Sequence, residues 1–295
     1  MDVADRQQAL GKQLRARNLC QRRSFSSFMN TITQLVGAAA IAALLAASPA
    51  VAQGSNKNDS SIFIVTVGPG LVLRPEFPGA KDMKLRFWPL IDVRKVGTDP
   101  TFSTPDQSFG PGLIRSEGFR AGPALRLGES RDEDDAIDGI GDVRRAIEVG
   151  AFAEAYLSPG LRARGEVRKG FGGHKGLLAD LGADVIVGKV TDPLQFSIGP
   201  RARLADKKYV RAFYGIDAAQ ALGTGLPLHD PDGGLHSVGA LGSMEYRMSG
   251  GFGLQAFARY DRLLGDAADS PLVRSSVGSR NQFEVGAGVT YSFGI

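Results

Sequence analysis

Residues 282–293 read QFEVGAGVTYSF, and apolar side chains alternate with polar or small ones along the whole stretch. Successive side chains of a β-strand point to opposite faces, so this period of two predicts a strand with one apolar face. Residues 177–187 and 194–204 repeat the pattern, with charged residues on the second face. The repetition predicts an antiparallel all-β protein.

The apolar faces are better explained by lipid than by a buried core. No stretch after residue 53 is apolar over the roughly 20 residues that a membrane helix needs. The predicted strands are instead about 10–14 residues long, enough for a tilted bilayer crossing. Their polar faces carry full charges, which a barrel interior can hydrate. We therefore predict a transmembrane antiparallel up-and-down β-barrel, and a periplasmic sandwich is the weaker alternative.

Twelve strands are predicted, with ten as the alternative. They cover approximately residues 62–73, 84–96, 99–115, 118–128, 143–157, 160–171, 174–190, 193–206, 208–222, 235–249, 251–263 and 282–293. Bacterial barrels have even strand counts and short periplasmic turns. With both termini periplasmic, this count places the long acidic connection 129–142 on the periplasmic side. That placement is an inconsistency: either this connection is an exception, or residues 99–115, an irregular segment, contain a different number of strands.

The N-terminus has the features of a secretory signal peptide. Arg22 and Arg23 precede an uncharged apolar run, residues 35–47, and Ala50 and Ala52 form a small-x-small cleavage signal. We expect cleavage between Ala52 and Gln53. The predicted organisation is a signal peptide (1–52), a short periplasmic lead (53–61) and an outer-membrane barrel (62–295).

Removal of this leader leaves a chain without net charge. The remaining residues include 29 basic and 29 acidic side chains, so a standing basic face for nucleic acid is not expected. The one cysteine, Cys20, lies within the leader. Disulfides, thiolate metal sites and a catalytic thiol are therefore not expected in the exported chain.

Alternation places many charges on the predicted interior face. The main candidates are Arg162, Arg164, Glu166, Arg168, Asp180, Asp184, Arg201, Arg203, Glu245, Arg247, Arg259 and Asp261, and further ones are Arg120, Arg126, Glu148, Glu154, Arg211 and Asp217. Opposite charges on neighbouring strands form cross-strand pairs. This set is either a path for ions or small solutes, or a mutually neutralising network that fills the barrel. The near balance of signs favours the network.

The sequence offers no recognisable catalytic motif. His174 lies in a glycine-rich turn, and His229 and His236 are expected in loops or at strand edges. No nucleophile motif accompanies them. The acidic run Asp132–Asp135 lacks the ordered spacing of a calcium loop. We expect neither an enzyme nor a cofactor.

Several stretches resemble the MipA/OmpV family of outer-membrane proteins. They are residues 73–80 (LRPEFPGA), 87–91 (FWPLI), 172–176 (GGHKG), 214–216 (YGI) and 260–273 (YDRLLGDAADSPLV). The resemblance implies an outer-membrane barrel that scaffolds peptidoglycan remodelling by binding a lytic transglycosylase and a peptidoglycan synthase. Such a barrel also has outer-membrane lipid and the barrel assembly machinery as partners. That machinery often reads a terminal aromatic residue, whereas Phe293 here precedes Gly294 and Ile295.

Overall fold

The computed structural model describes residues 62–98 and 100–295. The predicted signal peptide (1–52), the cleavage site between Ala52 and Gln53 and the lead (53–61) lie outside these residues. Across the described ranges, no helix combines the length and the apolar character that a membrane crossing requires.

The described residues form one sheet of eleven strands. The strands are β1 (Phe63–Pro75), β2 (Met83–Lys95), β3 (Ile114–Ser116), β4 (Phe119–Leu127), β5 (Ala146–Ser158), β6 (Leu161–Gly172), β7 (Leu177–Val187), β8 (Leu194–Ala205), β9 (Gly234–Arg247), β10 (Phe252–Leu263) and β11 (Asn281–Gly294). Each pairs antiparallel with its neighbours in the chain, except that β2 and β3 do not pair with each other and form the two edges of the sheet. β1 also pairs with β11. The predicted all-β antiparallel up-and-down class is confirmed, although the sheet is not closed between β2 and β3.

The burial of the strands is inverted relative to a water-soluble sheet. On β6, Arg162 is 1 % exposed and Arg168 is 1 % exposed, whereas Val167 on the opposite face is 49 % exposed. The other strands also turn large apolar side chains outward, such as Ile91 and Ile198. An apolar exterior around a charged interior is the pattern of a sheet surrounded by lipid.

The two ends of the sheet differ in their connections. We call the end that holds Phe63 and Gly294 the terminal end, and the opposite end the loop end. Residues 117–118, 159–160, 188–193 and 248–251, which include a 3₁₀ turn at Ser249–Gly251, make the terminal-end turns. Residues 76–82, 128–145, 173–176, 206–233 and 264–280 make the loop-end connections. Most long connections therefore lie at the loop end.

Residues 99–115 were predicted as a strand, and that prediction is wrong for most of the segment. β2 finishes at the terminal end, but Phe109 pairs with Leu125 near the loop end. Residues 100–108 thus return along the interior of the sheet, and β3 then runs in the same direction as β2. We call residues 100–108 the inner segment. This return places the acidic connection 129–142 at the loop end, which removes the inconsistency of the twelve-strand count.

Residues 208–222, also predicted as a strand, are helical instead. They lie in α1 (Lys207–Tyr214) and α2 (Ala218–Thr224). Val210, Phe213 and Tyr214 fit helical spacing at least as well as a period of two, and all three are buried. Asp206 caps α1 by accepting a hydrogen bond from the Tyr209 amide at 2.9 Å. Arg211 therefore lies on α1, and Asp217 caps the N-terminus of α2, so neither lies on the interior face of a strand.

The loop-end connections pack into a small apolar core, which we call the cap. Two short helices, α3 (Gly265–Asp269) and α4 (Pro271–Arg274), join α1 and α2 there, and a 3₁₀ turn spans Glu133–Asp135. The core residues include Tyr209, Phe213, Tyr214, Leu263 and Val273. Arg131 completes the cap, because its buried guanidinium donates to the Phe213 carbonyl at 2.7 Å and so satisfies the C-terminal turn of α1.

Candidate functional site: a charged network on the interior face

The network is built on β6, whose even-numbered side chains point inward. Arg162, Arg164, Glu166 and Arg168 follow the period of two, and each is less than 10 % exposed. The register with β7 places Arg162 opposite Asp184, and Glu166 opposite Asp180. The first pair has opposite charges, whereas Glu166 and Asp180 are both acidic and share the guanidinium group of Arg168 between them.

Glu154 on β5 forms ion pairs with three arginines. Its carboxylate lies 2.9 Å from Arg120 Nε, 2.8 Å from Arg164 Nη1 and 3.5 Å from Arg162 Nη1. The guanidiniums of Arg164 and Arg162 also lie over aromatic rings, those of Phe152 and Phe102, at 3.9 Å and 4.5 Å from the centroids. These stacked contacts suit the planar, weakly hydrated guanidinium group.

Arg168 contacts three carboxylates at once. Its nitrogens lie 2.8 Å from Glu148, 2.6 Å from Glu166 and 2.5 Å from Asp180. Asp180 in turn pairs with Arg203 at 2.6 Å. Because its guanidinium is fully buried, Arg168 is the central positive charge of this half of the network.

The inner segment joins the second half of the network. Asp184 binds Arg201 Nη2 at 2.7 Å, and Arg201 Nε lies 2.7 Å from Asp106 of the inner segment. Asp106 also lies 3.6 Å from Arg259, which pairs with Asp261. The inner segment is therefore tied to the walls of β8 and β10 by ion pairs.

All these contacts form one continuous network with nearly balanced charge. Its members are eight arginines (Arg120, Arg126, Arg162, Arg164, Arg168, Arg201, Arg203 and Arg259) and seven carboxylates (Asp106, Glu148, Glu154, Glu166, Asp180, Asp184 and Asp261). One positive charge is in excess. Each member has an oppositely charged partner, so the geometry is one of mutual neutralisation.

Ten of the twelve candidate residues named from the sequence lie in this network. The other two, Glu245 and Arg247, pair only with each other, at 3.0 Å near the terminal end. Sequence reasoning missed Asp106, because the inner segment has no periodicity that would place its side chains. The polar run Thr104–Ser108, which interrupts a predicted strand with Pro105, is the signal that it overlooked.

Each of the three histidine side chains is within hydrogen-bond distance of another residue of the protein. His174 Nε2 lies 3.1 Å from Glu148, next to Arg168. His236 was expected at a loop or strand edge, but it is buried within β9 with its Nε2 3.1 Å from the Tyr214 hydroxyl. His229 contacts the Asp266 carbonyl in the cap. Among the described residues, none of these hydrogen-bond partners is a serine, so the contacts do not form a Ser-His-acid arrangement.

Comparison with known proteins gives the family. The sequence profile described as "MltA-interacting protein MipA" matches residues 67–293, which is most of the chain. The chain belongs to the MipA family. This assignment agrees with the resemblance of the sequence stretches, and with the inverted sheet it describes an outer-membrane β-barrel protein. No curated protein matches the chain significantly.

Solved structures give distant similarities only. Neisserial surface protein A is 12 % identical, with 79 % of this chain and 98 % of that chain covered at a TM-score of 0.25. The outer membrane channel DcaP of Acinetobacter baumannii is 9 % identical, with 82 % and 100 % covered at 0.35. OprD of Pseudomonas aeruginosa is 12 % identical, with 83 % and 98 % covered at 0.26. At these scores, no argument about function is drawn from them.

Proposed function

We propose that this MipA-family protein is a non-enzymatic outer-membrane scaffold that binds a lytic transglycosylase on its periplasmic side. The family name supports a partner of the MltA type. A peptidoglycan synthase is a second proposed partner, and the barrel would hold it close to the transglycosylase. Export with cleavage between Ala52 and Gln53 belongs to the same proposal, and N-terminal sequencing of the membrane-extracted protein tests it.

The observation that carries the proposal is the occupied interior. Mutually neutralised charges and the inner segment fill the face that a channel would keep open and hydrated. A side chain held by two or three ion pairs is not free to exchange partners with a passing ion. A barrel of this kind acts through its surface more readily than through its interior.

The terminal end is the proposed binding surface, because Phe63 at the start of β1 and Gly294 at the end of β11 lie there beside short turns of the kind that bacterial barrels place on the periplasmic side. Its turns present exposed charges, including Glu117 between β3 and β4 and Lys189 in the turn 188–193. An Asp192 carboxylate oxygen accepts a hydrogen bond from the Lys189 amide at 2.7 Å, so this turn is ordered. Ordered charged turns are suitable for a specific polar interface.

The test measures binding of a purified MltA-type transglycosylase to the mature chain in lipid nanodiscs. We expect Glu117→Lys with Lys189→Glu to weaken binding, and Lys208→Glu on α1 at the loop end to leave it unchanged. Heat-dependent gel mobility checks that every variant is folded. If the folded wild-type chain fails to bind, or if only the loop-end variant matters, the proposed surface is wrong.

A narrow channel for ions or small solutes is the second candidate. It is favoured by a cavity of about 600 Å³ among the loop-end side chains of the barrel. Single-channel recordings in planar bilayers separate the two functions. Discrete current steps from folded wild-type protein would favour the channel, whereas silence would favour the scaffold.

A further inference from the structure

The loop-end cavity has a lining that the ion-pair network explains only in part. Its volume is about 600 Å³, and its walls include residues of β1, β2, β4, β8, β9, β10, β11 and α1. Seven basic side chains and four carboxylates line it. Five of these eleven groups (Asp106, Arg126, Arg203, Arg259 and Asp261) belong to the network, and Lys84 pairs with Asp135 outside the lining, so the unbalanced charge lies with the remaining groups.

Two arginines in this lining have no carboxylate partner among the described residues. Arg86 on β2 donates only to the Glu76 carbonyl, at 2.9 Å, and Arg145 at the start of β5 makes no ion pair within 4.0 Å. By contrast, Arg74 of the same wall pairs with Glu129 at 3.2 Å. Arg86 and Arg145 are thus the cationic groups that remain available to a ligand.

Two guanidinium donor atoms at the cavity are buried without an acceptor among the described residues. They are the Nε atoms of Arg74 and Arg86. Buried polar atoms are nearly always hydrogen-bonded, so an orphaned donor calls for an acceptor from outside the protein. A guanidinium group presents its donors as a planar fork that fits the paired oxygens of a carboxylate or phosphate.

Glu284 is the one carboxylate of the lining without an ion pair among the described residues. It faces the same cavity and would repel an anion there. Its effect is therefore opposite in sign to that of the two arginines. Removing the charge of Glu284 should therefore change anion binding in the opposite direction to removing the charges of the two arginines, which gives the binding test a control.

The opening of the cavity combines charge with apolar surface. Leu85 and Phe87 on the β2 edge are 61 % and 55 % exposed, and Leu127 on β4 is 66 % exposed. All three border the cavity where the sheet is not closed. An anion with an apolar tail could therefore place its tail at this rim and its head at the arginines.

From these observations we propose that the cavity binds an anionic carboxylate or phosphate group through Arg86 and Arg145. The group belongs either to a small soluble anion or to an amphiphile that enters between β2 and β4. The proposal does not depend on the scaffold function.

The chain supplies its own probe for this test. Trp88 is the only tryptophan in the sequence, and it lines the cavity with its ring 5.1 Å from that of Phe257. We would titrate the mature chain in nanodiscs with inorganic phosphate and, separately, with dodecyl phosphate. Trp88 emission and calorimetric heat are the two readouts.

We expect binding that Arg86→Gln with Arg145→Gln weakens by about tenfold or more, since charge-assisted hydrogen bonds are lost. Glu284→Gln should tighten binding several-fold, and Arg115→Gln in the terminal-end hairpin should change nothing. Saturable binding of phosphate alone identifies a soluble anion, and binding of dodecyl phosphate alone identifies an amphiphile. Absence of both heat and emission change with either probe, or equal affinity in wild type and the double arginine variant, overturns the proposal.

Discussion

Asp106 Oδ2 lies 2.7 Å from Arg201 Nε, and this ion pair joins the inner segment to the wall of β8. Arg201 is held at the same time by Asp184, at 2.7 Å, within the sheet itself. The inner segment is therefore anchored to a side chain that the barrel wall has already fixed. This arrangement makes Asp106 the residue whose loss should release the segment most selectively.

We expect Asp106→Ala to open the interior without unfolding the sheet. The substitution removes the contacts to Arg201 and Arg259, and it leaves the Arg201–Asp184 pair in place. Planar-bilayer recordings should show current steps for the variant and silence for the wild type. Asp134→Ala, an exposed change in a loop-end connection, is the matched control and should remain silent. A variant as silent as the wild type would show that the inner segment is not held by Asp106.

Arg168→Met should destabilise the barrel strongly. The change leaves Glu148, Glu166 and Asp180 without their shared buried cation. Breaking a buried ion pair typically costs about 3–5 kcal/mol in the free energy of unfolding. Unfolding of the refolded protein in urea, monitored by heat-dependent gel mobility, measures the decrease in the free energy of unfolding. Arg115→Met, at an exposed hairpin, should change the free energy of unfolding by less than about 0.5 kcal/mol.

The sequence predicts the network well because strand pairing and alternation define it. Once β6 and β7 are recognised, the period of two places Arg162, Arg168 and Asp184 on one face without further information. Alternation cannot place the inner segment, because its position depends on long-range contacts such as that of Asp106. The residues hardest to predict are therefore those outside the strands.

The helix α1 shows a second limit. Over a few residues, apolar positions can satisfy a strand period and a helical period together, and Val210, Phe213 and Tyr214 fall in such a stretch. This stretch is a helix because Asp206 caps its N-terminus and because it packs against Leu263 and Val273, which are distant in the chain. Tertiary contacts override local preference at this point.

The buried tyrosines of the cap predict an alkaline limit to its stability. Burial raises the pKa of Tyr209, and it raises the pKa of Tyr214 well above its usual value. An unfolded tyrosine ionises near pH 10, so above about that pH the folded cap binds more protons than the unfolded one, and its stability falls as pH rises. Absorbance of tyrosinate should show Tyr209 and Tyr214 ionising late, together with cap opening.

The control for this titration is Tyr214→Phe. It removes one of the two buried cap hydroxyl groups and keeps the apolar ring in the core, so the late absorbance step should become smaller. Protease cleavage within residues 206–233 reports the opening of the cap independently. If all six tyrosines ionised together near pH 10 in a protease-resistant protein, burial of Tyr209 and Tyr214 would be refuted.

Val167→Arg should prevent stable membrane insertion. Val167 lies in the middle of β6 on the apolar exterior, where it is 49 % exposed. An arginine on the lipid face near the bilayer midplane costs about 2–4 kcal/mol, whereas the same residue in a loop is hydrated. Refolding into vesicles, assayed by heat-dependent mobility, should drop sharply for this variant. Leu228→Arg, a loop-end position that is 67 % exposed, adds the same charge and should refold like the wild type. Equal refolding of both variants would mean that the β6 exterior does not face lipid, and the outward apolar surface would need another explanation.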